Sequence, residues 1–164
     1  MAYLSRKGIV DIIITEDSDL LAFGAKKILY KLDFTTLNGE EICLENIKHD
    51  KGAGFNWFTH NMFLTTCIMA GCDYLDQIKG VGMKLAQKVI SKNTTLKKAL
   101  AELSQTKQIP PCYEDNFMKA LLTFRFQRVY CPQKKDCVSV NEMNLKKMRN
   151  LDKIDSPECS EWGN

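Results

Sequence analysis

The chain has few histidines, no closely paired cysteines and only a small net charge. Only two histidines, His49 and His60, occur among the 164 residues, and none of the seven cysteines belongs to a C-x-x-C pair. Neither a zinc module nor a disulfide framework is indicated by such a set. Free cysteines in odd number instead predict a reducing compartment, either nuclear or cytosolic.

The sequence also lacks an apolar run near the ~20 residues that a membrane-spanning helix requires. Its first residues do not follow the basic, apolar and small-residue order of a signal peptide, so we expect a soluble intracellular protein without membrane contact. The net charge of +3 is too small to identify a nucleic-acid binder by total charge. A hydrophobic content of 45% is sufficient for one globular domain and a small second lobe.

The first third of the chain has the pattern of an α/β fold. The β-branched run Ile9–Ile14 predicts a buried strand, and Lys27–Leu32 predicts a second one. Between them lie an acidic loop and a short helix over Leu20–Gly24, closed by its glycine. We predict that residues 1–50 form the carboxy-terminal part of a parallel α/β domain, and the abrupt start leads us to expect a preceding segment.

The remaining sequence predicts helices. Apolar residues at helical spacing favour helices over 58–69, 83–91, 95–104 and 114–128, with glycines between the first two and prolines between the last two. We therefore expect a mainly helical subdomain over residues 51–140. Residues 141–164 are mainly polar and show little apolar periodicity, which predicts a linker or tail.

Three aspartates are candidate metal ligands. Asp17 and Asp19 follow the first predicted strand, where open α/β sheets build their sites. Asp73 ends an apolar helix just before a glycine turn. Carboxylate oxygens suit hard divalent ions, yet the same residues are also common caps of helices and turns, and spacing alone leaves both interpretations open.

The glycine turn Gly80-Val81-Gly82 is a candidate phosphate site. Glycines let a backbone approach a phosphate closely, and the following helix would present its amino terminus to the anion. Lys79, Lys84 and Lys88 supply positive charge around it. A tight corner between two helices needs glycine as well, so packing alone is the alternative explanation.

In order along the chain, the motifs T-E-D-S-D-L-L-A-F-G, G-C-D-Y-L and I-K-G-V-G-x-x-x-A together resemble the second half of the flap-endonuclease/XPG nuclease domain. The resemblance covers roughly residues 1–140 and departs from the family pattern between Phe34 and Thr59. It implies a partial PIN-like 5′-nuclease sheet, followed by a helix-two-turn-helix subdomain. The residues found in the first two motifs favour an exonuclease of this family over a flap endonuclease proper.

The resemblance also implies cofactors and roles. In the family, aspartates matching Asp17, Asp19 and Asp73 help hold two Mg²⁺ ions, for which Mn²⁺ substitutes, and Glu16 is not carried over. Main-chain carbonyls of Ala70, Gln77 and Val81 match the positions expected to hold a K⁺ ion. The glycine turn with its lysines would contact the DNA backbone, and Lys27 is added because it follows the acidic loop closely.

The implied activity is metal-dependent 5′→3′ exonuclease or 5′-flap endonuclease cleavage of phosphodiester bonds, in DNA repair and recombination in the nucleus. Expected partners are double-stranded DNA with 5′ ends, nicks or flaps, and mismatch-repair or replication proteins bound through other regions. Further metal-binding acids of the family, including an E-A-D/E-A motif, should precede this chain. We thus expect it to be inactive by itself; the alternative is a non-catalytic module that binds duplex DNA.

Overall fold

A computed structural model describes residues 1–50, 52–141 and 152–154 of the chain. The chain divides into two compact units, one formed by residues up to Phe58 and the other beginning at Thr59. The division lies later than the boundary predicted at residue 50. No helix among the described residues is both long and apolar enough to cross a membrane.

The first unit contains one three-stranded sheet and three short helices. Its elements are α1 (Ala2–Arg6), β1 (Ile13–Ile14), α2 (Asp19–Ala22), β2 (Lys27–Asp33), β3 (Asn38–Cys43) and α3 (Leu44–Ile47). β1 runs parallel to β2 with Ile13 opposite Ile28, and β2 pairs with β3 in antiparallel fashion. Ile28 in the central strand is fully buried, so it lies in the core of this unit.

Two expectations for this unit are wrong in part. The strand predicted over Ile9–Ile14 is confined to Ile13–Ile14, because only Ile13 is buried while Ile9, Ile12 and Ile14 are 40%, 37% and 57% exposed. The sheet is also not wholly parallel. β3 returns directly beside β2 through a tight turn, and so short a connection permits only antiparallel pairing.

The second unit is mainly helical, as predicted. Its helices are α4 (His60–Ala70), α5 (Met83–Ile90), α6 (Leu96–Ser104) and α7 (Tyr113–Phe126), followed by a hairpin of β4 (Arg128–Cys131) and β5 (Asp136–Ser139). Threonine side chains cap two of the helices: Thr59 Oγ1 accepts the Met62 N–H, and Thr95 Oγ1 accepts the Lys98 N–H. α4 packs against α5 and α7, and α6 packs against the same two helices.

Residues 152–154 pack in this unit, which corrects the expectation of a tail at this point. Ile154 is 2% exposed, and its N–H donates to the Thr94 carbonyl. The side-chain amide of buried Asn61 donates to the carbonyls of Lys153 and Ile154, both at 2.8 Å. The other positions of the predicted tail beyond Asn141 lie outside the described residues.

Candidate metal and nucleic-acid site

The acidic loop after β1 is fixed by hydrogen bonds between side chains and backbone. The Asp17 N–H donates to Thr15 Oγ1 at 2.9 Å, and the Asp19 N–H donates to Asp17 Oδ1 at 2.8 Å. The second bond forms a local turn that leads into α2, whose first residue is Asp19. The loop therefore has a defined conformation, with the Asp17 side chain at the surface and Asp19 half-buried.

Asp17 thus has a structural role, as the capping interpretation predicted. That role does not exclude metal binding, because an ionised carboxylate has about four lone-pair positions and one is used here. Glu16 is engaged differently: its Oε1 accepts the Lys31 N–H at 3.0 Å. This bond ties Glu16 to β2.

Tyr30 lies beside the loop and responds to its charge. Burial is the largest cause that raises the pKa of the Tyr30 hydroxyl, and a hydrogen bond with Ser18 opposes the increase. The carboxylates of Asp17, Glu16 and Asp19 raise the pKa further, since negative charges nearby disfavour a phenolate. Oxygen donors with negative potential at a surface suit a hard divalent cation.

The turn that carries Asp73 lies in the second unit. Gly71 ends α4 with a φ of 110°, and Cys72 and Leu75 then exchange two backbone hydrogen bonds of 3.2 Å. Tyr74 packs edge-on against Phe124, with ring centroids 5.2 Å apart. These contacts hold the turn in place and leave the Asp73 side chain exposed.

The described residues include no group of three or more His, Cys, Asp or Glu side chains that could hold a metal ion. Asp17 and Asp19 belong to the first unit and Asp73 to the second. In each turn one aspartate side chain, Asp17 or Asp73, is exposed, and a metal ligand has to be accessible. A joint site of the three aspartates remains a prediction.

The glycine turn Gly80-Val81-Gly82 follows Asp73 in the second unit. The Val81 N–H donates to the Ile78 carbonyl at 2.9 Å, and Gly80 has a φ of +75°, which favours glycine because side chains crowd the backbone there. Ile78 and Val81 are fully buried and anchor the turn. Gly82 is the residue just before α5 and has no side chain that could cap this helix. The first amides of α5 are therefore available to an anion.

The lysines around the turn lie at the surface of the second unit. Lys79, Lys84 and Lys88 are exposed. Lys27 in the first unit differs, because its ammonium lies 3.4 Å from Glu41 Oε1. An exposed ion pair of this kind is weak, but it reduces the positive charge that Lys27 offers to an anion.

The carbonyl of Val81 has a partner that the sequence did not predict. The Gln77 side-chain amide, through Nε2, donates to the Val81 oxygen at 2.7 Å. Gln77 also lies next to Gly71, where a β-carbon would approach the Gln77 β-carbon to 3.0 Å. Of the predicted K⁺ ligands, the Val81 oxygen therefore already accepts one hydrogen bond, and a carbonyl has a second lone pair.

Lys107 is a further basic residue at the turn that sequence reasoning missed. A β-carbon built on Gly80 would lie 2.9 Å from Lys107 Nζ, so the ammonium lies directly over the turn. Lys107 follows α6 and is remote from Gly80 along the chain. No motif or spacing could have connected these two positions.

Comparisons with known proteins are consistent with this arrangement. The XPG I-region family model matches residues 1–73. Exonuclease 1 of Arabidopsis thaliana is 38% identical over 145 residues, which are 88% of this chain and 20% of that protein. Exodeoxyribonuclease 1 of Saccharomyces cerevisiae is 38% identical over 150 residues, 88% of this chain and 21% of that protein. The chain thus spans about a fifth of the length of these curated relatives.

Two solved structures share the fold. A flap endonuclease-1 from Methanococcus jannaschii matches 75% of this chain and 34% of its own, with a TM-score of 0.52 and 22% identity. The eukaryotic junction-resolving enzyme GEN-1, solved binding with potassium, matches 81% of this chain and 39% of its own, with a TM-score of 0.58 and 22% identity. On the family model and the exonuclease relatives together, the chain is an exonuclease 1-like member of the XPG family.

Proposed function

We propose that the chain is part of a divalent-metal-dependent 5′→3′ DNA exonuclease and 5′-flap endonuclease, and that it supplies the second half of the nuclease core. The observation that carries the proposal is the structured acidic loop. There, Asp17 forms the turn into α2 while its side chain stays at the surface. In this proposal the sheet is a partial PIN-like domain, and the region from α4 to α5 is a helix-two-turn-helix.

Asp17, Asp19 and Asp73 would hold magnesium in the assembled enzyme. Their oxygens are hard donors, which magnesium prefers and for which manganese can substitute. When bound, the ions would supply Lewis-acid stabilisation of charge on phosphate oxygens and an activated water. The residues of this chain contribute the fixed orientation of the carboxylates, through the turn at Asp17 and the paired turn around Asp73.

The glycine turn would hold the DNA duplex by its backbone. The amides at Gly82 and the start of α5, with the exposed ammonium groups of Lys79, Lys84 and Lys88, suit a phosphate. Such contacts position a duplex without sequence information. A K⁺ ion would be held by the main-chain carbonyls of Ala70, Gln77 and Val81; GEN-1, a neighbour in fold, was solved binding with potassium.

The substrate would be double-stranded DNA with 5′ ends, nicks or flaps, processed in the nucleus during repair and recombination. Mismatch-repair or replication proteins would bind elsewhere on the full enzyme. We expect this chain by itself to bind divalent metal weakly and not to cleave DNA, since the family resemblance implies further acidic ligands from a preceding segment.

A second candidate is a duplex-binding module without catalysis. It is favoured by the hydrogen bond from the Asp19 N–H to Asp17 Oδ1, which gives the acidic loop a structural purpose that needs no metal. In this case Gly80 and Gly82 would still contact the DNA backbone, and no divalent ion would bind.

Calorimetric titration with Mn²⁺ distinguishes the two candidates. The variants are Asp17→Asn and Asp73→Asn, with Asp11→Asn as the matched control, because Asp11 is exposed and outside both turns. Asparagine removes the charge, yet its side-chain oxygen can still accept the Asp19 N–H at position 17, so the turn is retained. Cleavage of a 5′-flap duplex is measured in parallel.

Weak Mn²⁺ binding that is lost in both variants and kept in Asp11→Asn would support the nuclease proposal. Duplex binding with no Mn²⁺ response in the unchanged chain would instead support the non-catalytic module. Loss in Asp17→Asn but not in Asp73→Asn would remove Asp73 from the proposed ligands.

A further inference from the structure

The ammonium of Lys107 covers the glycine turn from the side of α6. The backbone N–H of Lys107 donates to the Leu103 carbonyl at 2.8 Å, which continues the last turn of α6 and fixes where the side chain begins. From there the side chain reaches Gly80, where a β-carbon would be only 2.9 Å from Nζ. The side chain is half-buried, so its position is set by packing as well as by charge.

Lys107 has no acidic partner within the described part of the chain. Lys27, Lys31 and Lys97, by contrast, each lie within 4.0 Å of a glutamate oxygen. A lysine that approaches a backbone turn without an acid to neutralise it leaves a local excess of positive charge. An anion at this turn would remove that excess.

The surroundings indicate which anion fits. Gly80 is exposed, and the amides at the start of α5 come directly after Gly82. A phosphate there would meet the positive end of the α5 dipole and an ammonium from α6. Glycine at position 80 is favoured by its φ of +75°, and an added β-carbon would displace the Lys107 ammonium from the turn.

We infer that Lys107 is a further DNA phosphate-binding residue, which adds a cation from α6 to the backbone clamp at Gly80 and Gly82. This inference rests on the proposed function, since it concerns the same duplex. It extends the contact surface from one helix amino terminus to two elements, α5 and the end of α6. The ligand is a backbone phosphate and not a base edge, so the contact is independent of sequence.

The test measures binding of a short fluorescein-labelled DNA duplex by anisotropy over a series of salt concentrations. The variants are Lys107→Ala and Lys107→Arg. Lys98→Ala is the control, because Lys98 is an exposed lysine near the start of α6, a helix length from Lys107. Thermal unfolding followed by circular dichroism checks that every variant is folded.

Loss of one phosphate contact reduces the slope of log K against log salt concentration by about 0.9, which corresponds to roughly eight-fold weaker binding at about 0.1 M salt. We expect this change for Lys107→Ala, retention of most binding for Lys107→Arg, and an unchanged slope for Lys98→Ala. A slope unchanged in Lys107→Ala, with the parent chain binding duplex normally, overturns the inference and leaves the proposed function intact. A folded parent chain that does not bind duplex overturns both.

Discussion

Gln77 Nε2 donates a 2.7 Å hydrogen bond to the main-chain oxygen of Val81, so a side chain occupies part of the coordination sphere proposed for potassium. The same residue is expected to offer its own main-chain carbonyl to that ion. In the proposed site, the Gln77 amide and the cation would share the lone pairs of the Val81 oxygen, so the amide would weaken the contact of the cation with that oxygen.

Gln77→Ala should strengthen the response to potassium. The substitution keeps the main-chain carbonyl of residue 77 and removes only the competing amide. Because one hydrogen bond contributes about 0.5–1.5 kcal/mol, the K⁺ concentration for half-maximal stimulation of duplex binding should fall about two-fold to twelve-fold.

Anisotropy with KCl exchanged for choline chloride at constant ionic strength measures this response without changing the general salt effect. Gln105→Ala is the matched control, since Gln105 is exposed just after α6. An identical potassium response in Gln77→Ala and the parent chain would show that the amide does not compete.

Gly80→Ala should destabilise the second unit. With a φ of +75°, an alanine at this position carries the steric cost of the left-handed region, about 1–2 kcal/mol. The nearby Lys107 ammonium is the end of a flexible chain and can move aside, so crowding adds little.

Gly82→Ala is the comparison for Gly80→Ala, because Gly82 has an ordinary φ of −96° and a β-carbon there would come no closer than 3.9 Å to another group. At position 82 we expect the weaker helix cap to be offset by the lower entropy of the unfolded chain. Urea unfolding gives both free energies. Equal values for the two variants would contradict the strain argument.

Asp33 should titrate below the usual range of an aspartate. The Thr35 N–H, which donates to Asp33 Oδ1 at 2.8 Å, is the largest cause that lowers its pKa, followed by the Thr36 hydroxyl at 2.9 Å from Oδ2. Since the folded pKa lies below the unfolded one, the stability from this turn is present above the unfolded pKa, near 3.9, and is lost as the pH falls through the folded pKa.

Thr36→Val removes one donor, so the pKa of Asp33 should rise toward its ordinary value. Thr35→Val keeps the backbone N–H, which is the main donor, and should change the pKa less. Carboxyl chemical shifts of Asp33, followed by NMR from neutral to acidic pH, measure both. A larger rise of the Asp33 pKa in Thr35→Val than in Thr36→Val would show that the Thr35 side chain, and not the Thr36 hydroxyl, is the more important side-chain donor.

Local patterns in the sequence were sufficient to predict the helices of the second unit and the glycine turn. α4 and α6 are each preceded by a capping threonine and contain apolar residues at helical spacing, and Gly80 marks a backbone conformation that other residues avoid. Asp17 and Asp73 are exposed at their turns, and their joint role as metal ligands stays a prediction.

Contacts between residues distant in sequence could not be predicted from such local patterns. The strand predicted over Ile9–Ile14 was too long because an apolar run does not reveal which of its members find a neighbouring strand. Lys107 reaches Gly80 only through the packing of α6 against α5. Ile154 lies in a mainly polar stretch, and nothing in its local sequence indicates that Thr94 and Asn61 contact it.

Asn61 provides the strongest test of that last contact. It is 2% exposed, its amide donates to two carbonyls of the 152–154 segment, and its oxygen accepts from the Arg125 guanidinium. Asn61→Ala leaves those groups without this partner and should cost about 2–4 kcal/mol of unfolding free energy. Asn116→Ala is the control, because Asn116 is exposed and bonds only to Lys119 at the surface; we expect a change within about 0.5 kcal/mol.

Urea unfolding measures both asparagine variants, and hydrogen exchange of the Ile154 amide reports on the segment itself. That amide donates to the Thr94 carbonyl at 3.0 Å, so it should exchange slowly in the parent chain and faster in Asn61→Ala than in Asn116→Ala. A destabilisation without faster exchange would assign the cost to Arg125 alone. Equal stability of the two variants would mean that residues 152–154 do not depend on Asn61, and the packing of Ile154 would then have to rest on its apolar contacts and its bond to Thr94.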